Sequence, residues 1–562
     1  MPLAPQRLTP GHQPGRWRAC ALCAALAVAA LPLAGLVRRL PAALREDYSI
    51  GDLASIEIGV IEASHATRLV GQPARFGFYQ LGPSHFYLQV PLYELFHHQR
   101  FALSLTCLAV NWAALLGLLY ALGRWLDTTA ATLSFLLVAV PYLGYYESAT
   151  LFNYWGQYLI VLPAGLFLMS AAAVVSGRVW AWPLVLALGS FMVQGYGSSL
   201  LPVAAVLVAL ALVAGSRRLR RRPPVGSPSE NRRRSRAVAA ASLLVVALFW
   251  CAPVIDEATG SPGNLSVVLK HYRPGVPGSG PPAGAVAASF ARHLAAPWLH
   301  GFWGLTVNSP LEGGPLEIAK ALAAAELLLL AGCAWLAARR GQRYSAALCA
   351  LCLLMVAAAL VAVRRLDGDL YPYIFFWLSA CAAVGWMALG GVLLSALAEP
   401  LRSRWLRLAI AAPSREIWLL ATVAVLAAGL LARPLPIPHL GDPSVGAFAA
   451  ALDRHLVEHG LEATPIRLVS HDFAWPWAIA MLIQLHHRGR QASIVNVQGG
   501  AEISEMQGLR PAWLRPLPGS TEIHLYDRDP GAAADRETIL CHAVLPLDAT
   551  RPEMCMIRSG GL

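Results

Sequence analysis

The chain has 562 residues and a formal net charge of +12, and its composition is 56% hydrophobic but only 14% charged. With a mean hydropathy of +0.52, this much apolar surface cannot all be withdrawn from lipid in a soluble fold, so the composition indicates a polytopic membrane protein. The positive charge does not require a nucleic-acid partner, because the arginines lie in short stretches between apolar runs without interleaved aromatic residues.

Apolar runs of bilayer-spanning length predict a polytopic α-helical fold with about eleven transmembrane helices. The predicted spans lie near 17–39, 101–121, 128–146, 155–175, 179–196, 200–215, 237–255, 316–338, 344–363, 371–396 and 416–433. The first run is expected to stay in the mature protein, because no clear Ala-x-Ala cleavage site ends it.

The basic connections predict the topology of the 1–433 membrane domain. Alternating the spans places nearly all of them, including the loop 216–236, on one side with the N-terminus, which the positive-inside rule assigns to the cytoplasm. The first loop (40–100) and the third (256–315) then face outward from a bacterial cytoplasmic (inner) membrane. Arg364 and Arg365 are the exception: either a span is miscounted, or two cations at the outer interface hold an anion.

The segment 434–562 has a different composition, with short β-type runs around an amphipathic helical stretch. It predicts a small extracytoplasmic α/β domain. The segment has no glycine-rich phosphate-binding motif, so a nucleotide site has no support. Trp475-Pro476-Trp477 could form a sugar-binding edge or serve as core anchors, and Cys541 and Cys555 are candidates for a disulfide if the domain lies outside the cytosol.

Acidic residues of the outer loops are the first candidates for chemistry. Asp52 and Glu57 lie in GDLASIEIGV, whose helical spacing turns them away from one another, so a cavity would receive one of the two. Asp52 could be a catalytic group or a helix cap. Glu147 lies in the second outer turn and offers a second carboxylate on the same side, as a partner or a metal ligand.

Cations and aromatic residues accompany these acids. Arg75 and His85 lie in the first loop with several aromatics, and Arg273 lies in the third. Either the aromatics form an ordinary interfacial belt, or the cations face a phosphate, for which the planar arginine fork is well suited.

These loops together resemble the GT-C superfamily of integral-membrane glycosyltransferases, which use polyprenyl-phosphate sugars. The similarity rests on the acid soon after the first span, on LVGQPARFGFYQLGPSHFYLQVPLYEL, on ESATLFNYWGQYLIVLP and on APVIDEATGSPGNL. It covers residues 17 to about 433 through individually loose motifs, and the tail resembles the extracytoplasmic domain of many members.

The resemblance implies an inverting glycosyltransferase acting on a cell-envelope glycan, lipid or protein acceptor at the outer face. It implies Asp52 as the base, with Glu147 and Glu57 as further catalytic carboxylates. Donor-phosphate ligands would be Arg75, His85, Arg273, Arg364 and Arg365, and sugar or acceptor ligands would be Gln80, Tyr87, Asn153 and Trp155. A divalent metal, Mg²⁺ or Mn²⁺, would be held by Asp52 and Glu147 if one is used.

Two other hypotheses remain at this point. A transporter or flippase of lipid-linked glycans would show internal repeats and intramembrane charges. A catalytically silent scaffold is suggested by Leu53, which stands where many GT-C members carry a second acid.

Overall fold

The computed structural model of the chain describes residues 48–74, 77–125, 138, 151–219, 228–271, 280–303, 316–364, 366, 370–401, 444–471, 474–498, 501–503, 511–515, 517–526, 537–543 and 554–559. The elements of the membrane portion are α1 (Gly51–Ser64), β1 (Pro73–Ala74), β2 (Phe78–Tyr79), α2 (Ser84–Leu95), α3 (Arg100–Trp125), α4 (Gly156–Leu159), α5 (Val161–Val175), α6 (Trp182–Gly195), α7 (Leu200–Leu219), α8 (Pro228–Thr259), α9 (Asn264–His271), α10 (Ala283–Trp303), α11 (Leu316–Arg339), α12 (Arg343–Val363) and α13 (Phe376–Leu401). Short 3₁₀ turns at Val179–Ala181, Gly197–Ser199 and Pro372–Phe375 connect some of them.

The predicted polytopic helical fold is confirmed, although the count of about eleven spans is not. Seven described stretches are long and apolar enough to cross a membrane: Arg100–Leu122, Gly156–Val175, Gly197–Ser216, Arg233–Thr259, Leu316–Arg339, Arg343–Val363 and Pro372–Leu393. An eighth predicted span coincides with the shorter apolar helix Val179–Gly195. The predicted spans at 17–39, 128–146 and 416–433 lie outside the described residues.

Helix α5 is the centre of the bundle. Nearly all of its side chains are buried, and it packs against α3, α6, α12 and α13. Helix α8 is the opposite case, because its apolar side chains are largely exposed in the chain itself. In a membrane such a surface faces lipid, which is as apolar as the side chains themselves.

The stretch predicted as the third outer loop contains two helices. The short α9 packs against β2, whereas α10 packs between α11 and α13. The sequence did not predict α10, because its hydropathy is interrupted by polar residues such as His293. That side chain is buried and hydrogen-bonds to the Pro372 carbonyl, with Nε2 2.9 Å from the oxygen.

Helix α1 is buried along most of its length between α2 on one side and the C-terminal domain on the other. Its close approach to α2 depends on Gly59, since a Cβ at that position would lie 2.5 Å from Cε1 of Phe86. Burial on both sides explains why a sequence rich in Ile and Val forms a helix here, because packing overrides the weak intrinsic preferences of these residues.

The segment after residue 443 forms an α/β domain, as expected. Its elements are α14 (Ser444–Glu458), β3 (Ile466–His471), α15 (Trp475–His487), β4 (Ala492–Gln498), β5 (Ala501–Ile503), α16 (Pro511–Leu514), β6 (Thr521–Tyr526), β7 (Glu537–Ala543) and β8 (Met554–Ser559). The six strands form one mixed sheet in the order β5-β4-β3-β6-β8-β7. Strand β3 is parallel to β4 and β6, and the other pairings are antiparallel.

The register of β7 and β8 does not make Cys541 and Cys555 cross-strand partners. Cys541 stands opposite Met556, and Cys555 stands opposite His542. A bond between the two cysteines therefore stays a prediction.

Candidate functional site

A cavity of about 90 Å³ opens between α1, the β1–β2 hairpin and the two 3₁₀ turns at Gly197–Ser199 and Pro372–Phe375. At about 30 Å³ for each water molecule in the liquid, this volume is the space of about three water molecules. The lining residues are Asp52, Ser55, Ile56, Gln72, Pro73, Ala74, Phe78, Gln80, Trp155, Gln157, Tyr196, Gly197, Ser198, Leu366, Tyr373 and Ile374.

Asp52 presents a carboxylate to this cavity from the first turn of α1. The helix can begin at Gly51 because that residue has φ +56°, a left-handed conformation that glycine adopts without strain. Although the Asp52 side chain keeps solvent exposure, the surrounding cavity walls displace much of the bulk water. This desolvation raises the pKa of Asp52 above the ordinary aspartate value.

Arg68 fixes the start of the hairpin that forms the opposite wall. Its buried guanidinium donates hydrogen bonds to Glu62 (Nη1 to Oε2, 2.9 Å) and to the carbonyls of Val70 (2.8 Å) and Gly71 (2.5 Å). The charged group also lies 4.8 Å from the ring centroid of Phe86. The guanidinium of Arg68 thus makes structural contacts, and Arg68 does not line the cavity.

An asparagine from α9 holds the outer edge of the same hairpin. The side chain of Asn264 accepts a hydrogen bond from the backbone N–H of Tyr79 (2.8 Å) and donates one to its carbonyl (3.0 Å). In this way a side-chain amide takes the place of a neighbouring strand. At the end of α9, the His271 ring packs at a tilted angle against the cavity residue Phe78, with ring centroids 5.2 Å apart.

Uncharged hydrogen-bonding groups form the inner wall. Nε2 of Gln72 donates to Oε1 of Gln157 (3.0 Å), and both side chains are buried. Oε1 of Gln72 has no hydrogen-bond partner among the described residues. A buried amide oxygen of this kind is normally satisfied, so a ligand hydroxyl or a water molecule can fill that role here.

Aromatic rings complete the cavity. The ring centroids of Trp155 and Tyr373 are 4.9 Å apart, and Tyr196 meets Tyr373 edge-on at 6.4 Å. Ser198 ties the two 3₁₀ turns, since its hydroxyl donates to the Ile374 carbonyl (2.5 Å) and accepts from Nε1 of Trp377 (3.0 Å). Aromatic faces with nearby amides and hydroxyls are suited to a sugar, which has apolar C–H faces and hydroxyl edges.

Glu57 does not line the cavity. Its buried carboxylate accepts hydrogen bonds from Ser49 and from Tyr93 (2.8 Å) on the far side of α1. Burial raises its pKa, and the hydrogen bonds from Ser49 and Tyr93 counteract part of that rise. The expectation that Asp52 and Glu57 point apart therefore agrees with the structure.

The other described candidates divide between the cavity and its supports. Gln80 and Trp155 line the cavity, and Oε1 of Gln80 accepts from the Gly197 N–H (2.6 Å). Oδ1 of Asn153 instead accepts from the backbone N–H of Trp155 (2.9 Å), and the Tyr87 hydroxyl donates to the Arg68 carbonyl (2.9 Å). Both residues hold the walls without lining the cavity.

The two described cationic candidates differ from an expected phosphate ligand in their surroundings. His85 is fully buried, and burial together with the neighbouring Arg68 lowers its pKa to about 3, so that the ring is neutral near pH 7. Arg364 is exposed at the end of α12, two residues before the cavity residue Leu366. The candidates Arg75, Glu147, Arg273 and Arg365 lie outside the described residues.

Several cavity residues could not be identified from the sequence. Gln72, Gln157, Tyr196 and Tyr373 come from four different parts of the chain and form no motif with Asp52. A weak signal was the interruption of apolar runs by glutamine and tyrosine, which is unusual in a lipid-facing helix.

The described residues do not provide a complete metal site. Within them no group of three or more His, Cys, Asp or Glu side chains has the arrangement to hold a metal ion. Among the described cavity residues, Asp52 is the single carboxylate. Glu147, the predicted second ligand, lies outside the described ranges.

Comparison with solved structures identifies the fold. The structure of ArnT from Cupriavidus metallidurans bound to undecaprenyl phosphate superimposes with a TM-score of 0.52 at 15% identity, covering 97% of this chain and 99% of that one. Its apo structure gives a TM-score of 0.52 at 14% identity, with the same coverage of both chains. This chain has the fold of ArnT.

The GT-C resemblance predicted from the loops is thus confirmed at the level of the fold. The apo oligosaccharyltransferase of Archaeoglobus fulgidus is also similar, with a TM-score of 0.43 at 14% identity over 85% of this chain and 64% of that one. No protein-family model matches the sequence, and no curated protein matches it either. The ArnT-like fold and the seven described helices that are long and apolar enough to cross a membrane make the chain a multi-pass membrane protein.

Proposed function

We propose that this protein is an inverting glycosyltransferase that transfers a sugar from a polyprenyl-phosphate donor to an acceptor hydroxyl outside the cytosol. The observation that carries the proposal is the position of Asp52, a partly desolvated carboxylate at the edge of a cavity with aromatic and amide walls. The fold similarity to an ArnT structure that contains undecaprenyl phosphate supports a lipid-linked donor.

In the proposed reaction, the acceptor oxygen attacks the anomeric carbon from the side opposite the phosphate. A new C–O bond forms as the bond to the phosphate oxygen breaks, and the acceptor proton passes to Asp52. A raised pKa brings the carboxylate closer to the pKa of an efficient general base at neutral pH. The displacement inverts the anomeric configuration.

The leaving phosphate requires positive charge, which we assign to Arg75, Arg273, Arg364 and Arg365 from the sequence. We assign the role of second carboxylate to Glu147. No step of the proposed reaction depends on a divalent metal. If Asp52 and Glu147 do hold Mg²⁺ or Mn²⁺, EDTA should abolish transfer and either ion should restore it.

The central test is sugar transfer by purified protein in vesicles that contain radiolabelled polyprenyl-phosphate sugars and a mixture of envelope acceptors. We expect Asp52→Asn to reduce kcat by about 10²–10⁴-fold, the usual contribution of a general base. Glu317→Gln is the matched control, because that glutamate is 83% exposed at the start of α11. Undiminished transfer by Asp52→Asn would refute the assignment of the base. Absence of transfer by the unmodified protein with any donor would refute the proposal that it is a glycosyltransferase.

One observation favours the alternative of a lipid-linked glycan transporter. Glu326 is buried within the spanning helix α11, and its Oε2 has no hydrogen-bond partner among the described residues. Ionisable groups inside a span often mark transport pathways. The protein would be identified as a transporter if labelled donor crossed the vesicle membrane without sugar transfer and if Glu326→Gln abolished this movement.

A further inference from the structure

The carboxylate of Glu57 is the meeting point of hydrogen bonds from several parts of the chain. Ser49 donates its hydroxyl proton to Glu57, so the Tyr154 hydroxyl, 2.7 Å from Ser49 Oγ, must donate to Ser49. On the other side, the Tyr93 hydroxyl of α2 donates to Oε1 of Glu57 at 2.8 Å. Each hydroxyl has one proton to donate, so with an ionised Glu57 the direction of every bond in this network is determined.

The network ends in the C-terminal domain, at the last residue of α15. Nε2 of His487 lies 3.2 Å from the Tyr93 hydroxyl oxygen. Because the Tyr93 proton is directed at Glu57, His487 must donate its Nε2–H to Tyr93. Tyr93 itself is fully buried, whereas His487 is exposed. This bond therefore links the surface of one domain to the buried carboxylate of the other.

His487 has the protonation state that this role requires. Desolvation first, and then the nearby His98 and His486, lower its pKa to about 4, so the ring is neutral near pH 7. A neutral imidazole has one N–H group, and the bond to Tyr93 places that proton on Nε2. The His98 ring stacks on His487 with centroids 5.4 Å apart, which restricts the orientation of the imidazole.

Two further contacts join the C-terminal domain to the ends of α1. At its beginning, the position where Gly51 would carry a Cβ lies 3.5 Å from Cβ of Pro476 and 3.6 Å from Cη2 of Trp475. At its end, Nε1 of Trp513 donates to Oε1 of Glu62 at 3.0 Å. The C-terminal domain thus contacts α1 at both ends, and it reaches the middle of the helix through Tyr93.

We propose that His487 is a positioning residue for the Asp52 carboxylate, acting through Tyr93 of α2 and Glu57 of α1. The C-terminal domain thereby helps to hold the geometry of the site. The inference rests on the proposed transferase function. Asp52 and Glu57 share one helix, and Ser49 precedes Asp52 by three residues. A shift of α1 at Glu57 therefore also moves the carboxylate at the cavity.

The test compares two substitutions of the same histidine in the full chain. His487→Phe keeps a flat ring but removes the donor, whereas His487→Gln keeps an N–H donor at a similar distance from the backbone. His459→Phe is the control, because His459 is an exposed histidine at the end of α14 in the same domain. Amide hydrogen exchange of residues 51–64 is measured by mass spectrometry, together with kcat and KM for sugar transfer.

We expect His487→Phe to accelerate exchange in residues 51–64 about three- to tenfold, the effect of losing one hydrogen bond. The same variant should lower kcat with little change in KM for the donor, while His487→Gln should restore both readouts. If His487→Phe behaves like His459→Phe in exchange, the positioning role is refuted. If His487→Gln behaves like His487→Phe, the hydrogen bond is not the cause and the proposal also fails.

The two readouts separate this inference from the proposed function. Absence of transfer by the unmodified protein would refute the transferase while leaving the exchange measurement valid. Normal exchange with intact transfer in His487→Phe would refute only the role of His487.

Discussion

The buried ion pair between Arg68 and Glu62 offers a quantitative test of how the cavity is supported. The two side chains are 1% and 7% exposed and their charged atoms are 2.9 Å apart. Arg68→Met keeps an unbranched side chain of similar length but leaves the Glu62 carboxylate without its cation. It also removes the donors for the Val70 and Gly71 carbonyls.

Removing one partner of a buried pair costs about 3–5 kcal/mol, because the remaining charge is desolvated and uncompensated. The matched control is Arg488→Met, since Arg488 and Asp453 are 35% and 30% exposed and lie 3.3 Å apart. Asp453 would also keep its contact with Arg490. An exposed pair of this kind contributes about 0–1 kcal/mol.

The assay is hydrogen exchange of residues 62–80, which contain the loop and hairpin that Arg68 supports. A local cost of 3–5 kcal/mol corresponds to exchange faster by about two to four orders of magnitude, whereas the control should change by less than about tenfold. The double variant Glu62→Gln/Arg68→Met should recover part of the protection, because no unpaired charge remains. Equal exchange in Arg68→Met and Arg488→Met would refute the reasoning that burial makes this pair indispensable.

Four further predictions concern the cavity and α1. Because burial raises the pKa of Asp52 and the base must be ionised, transfer should fall as the pH decreases through a value above the usual aspartate range; a pH–rate profile with its acid limb near pH 4 would contradict this. Ionised Asp52 destabilises the folded protein, and this loss of stability develops as the pH rises through the raised pKa. Asp52→Asn should therefore leave the thermal midpoint at pH 7 unchanged or higher, and a clear decrease would contradict the sign. Gly59→Ala should lower the midpoint by forcing α1 from the Phe86 ring, at a cost of about 1–3 kcal/mol, and Phe86→Leu should restore it; no decrease would show that the helices separate freely. Gln72→Leu should raise KM for the donor more than it lowers kcat, with the half-buried Gln342→Leu, which does not line the cavity, unchanged, and an unaltered KM would exclude Gln72 as a sugar ligand.

The sequence by itself determined the class of the protein and much of its chain order. Long apolar runs require helices in lipid, because an unpaired backbone has no hydrogen-bonding partner there. This is why eight predicted spans coincide with described helices, seven of them long enough to cross a membrane. In the C-terminal domain, the β-type runs are ATPIRLVSHD, RQASIVNVQGG, STEIHLYDRD and ETILCHAVLPL. They coincide with β3, β4, β6 and β7, because a short run bounded by turn residues is a local signal for a strand.

The sequence also selected Asp52 but could not distinguish its role from that of Glu57. Both acids lie on one helix, and helical spacing predicted only that they point in different directions. What stands around each of them comes from distant segments: Gln157 and Tyr373 belong to the cavity of Asp52, and Tyr93 and Ser49 contact Glu57.

Only the tertiary structure decided that α1 is shared between two domains. Contacts such as Trp513 with Glu62, or His487 with Tyr93, join residues about 400 positions apart or more, and no local pattern encodes them. The same holds for α10, whose polar His293 is tolerated inside the bundle because the Pro372 carbonyl accepts its hydrogen bond. Hydropathy and periodicity are properties of neighbouring residues, whereas a site is made where non-neighbours pack, and packing is resolved only when the whole chain is folded.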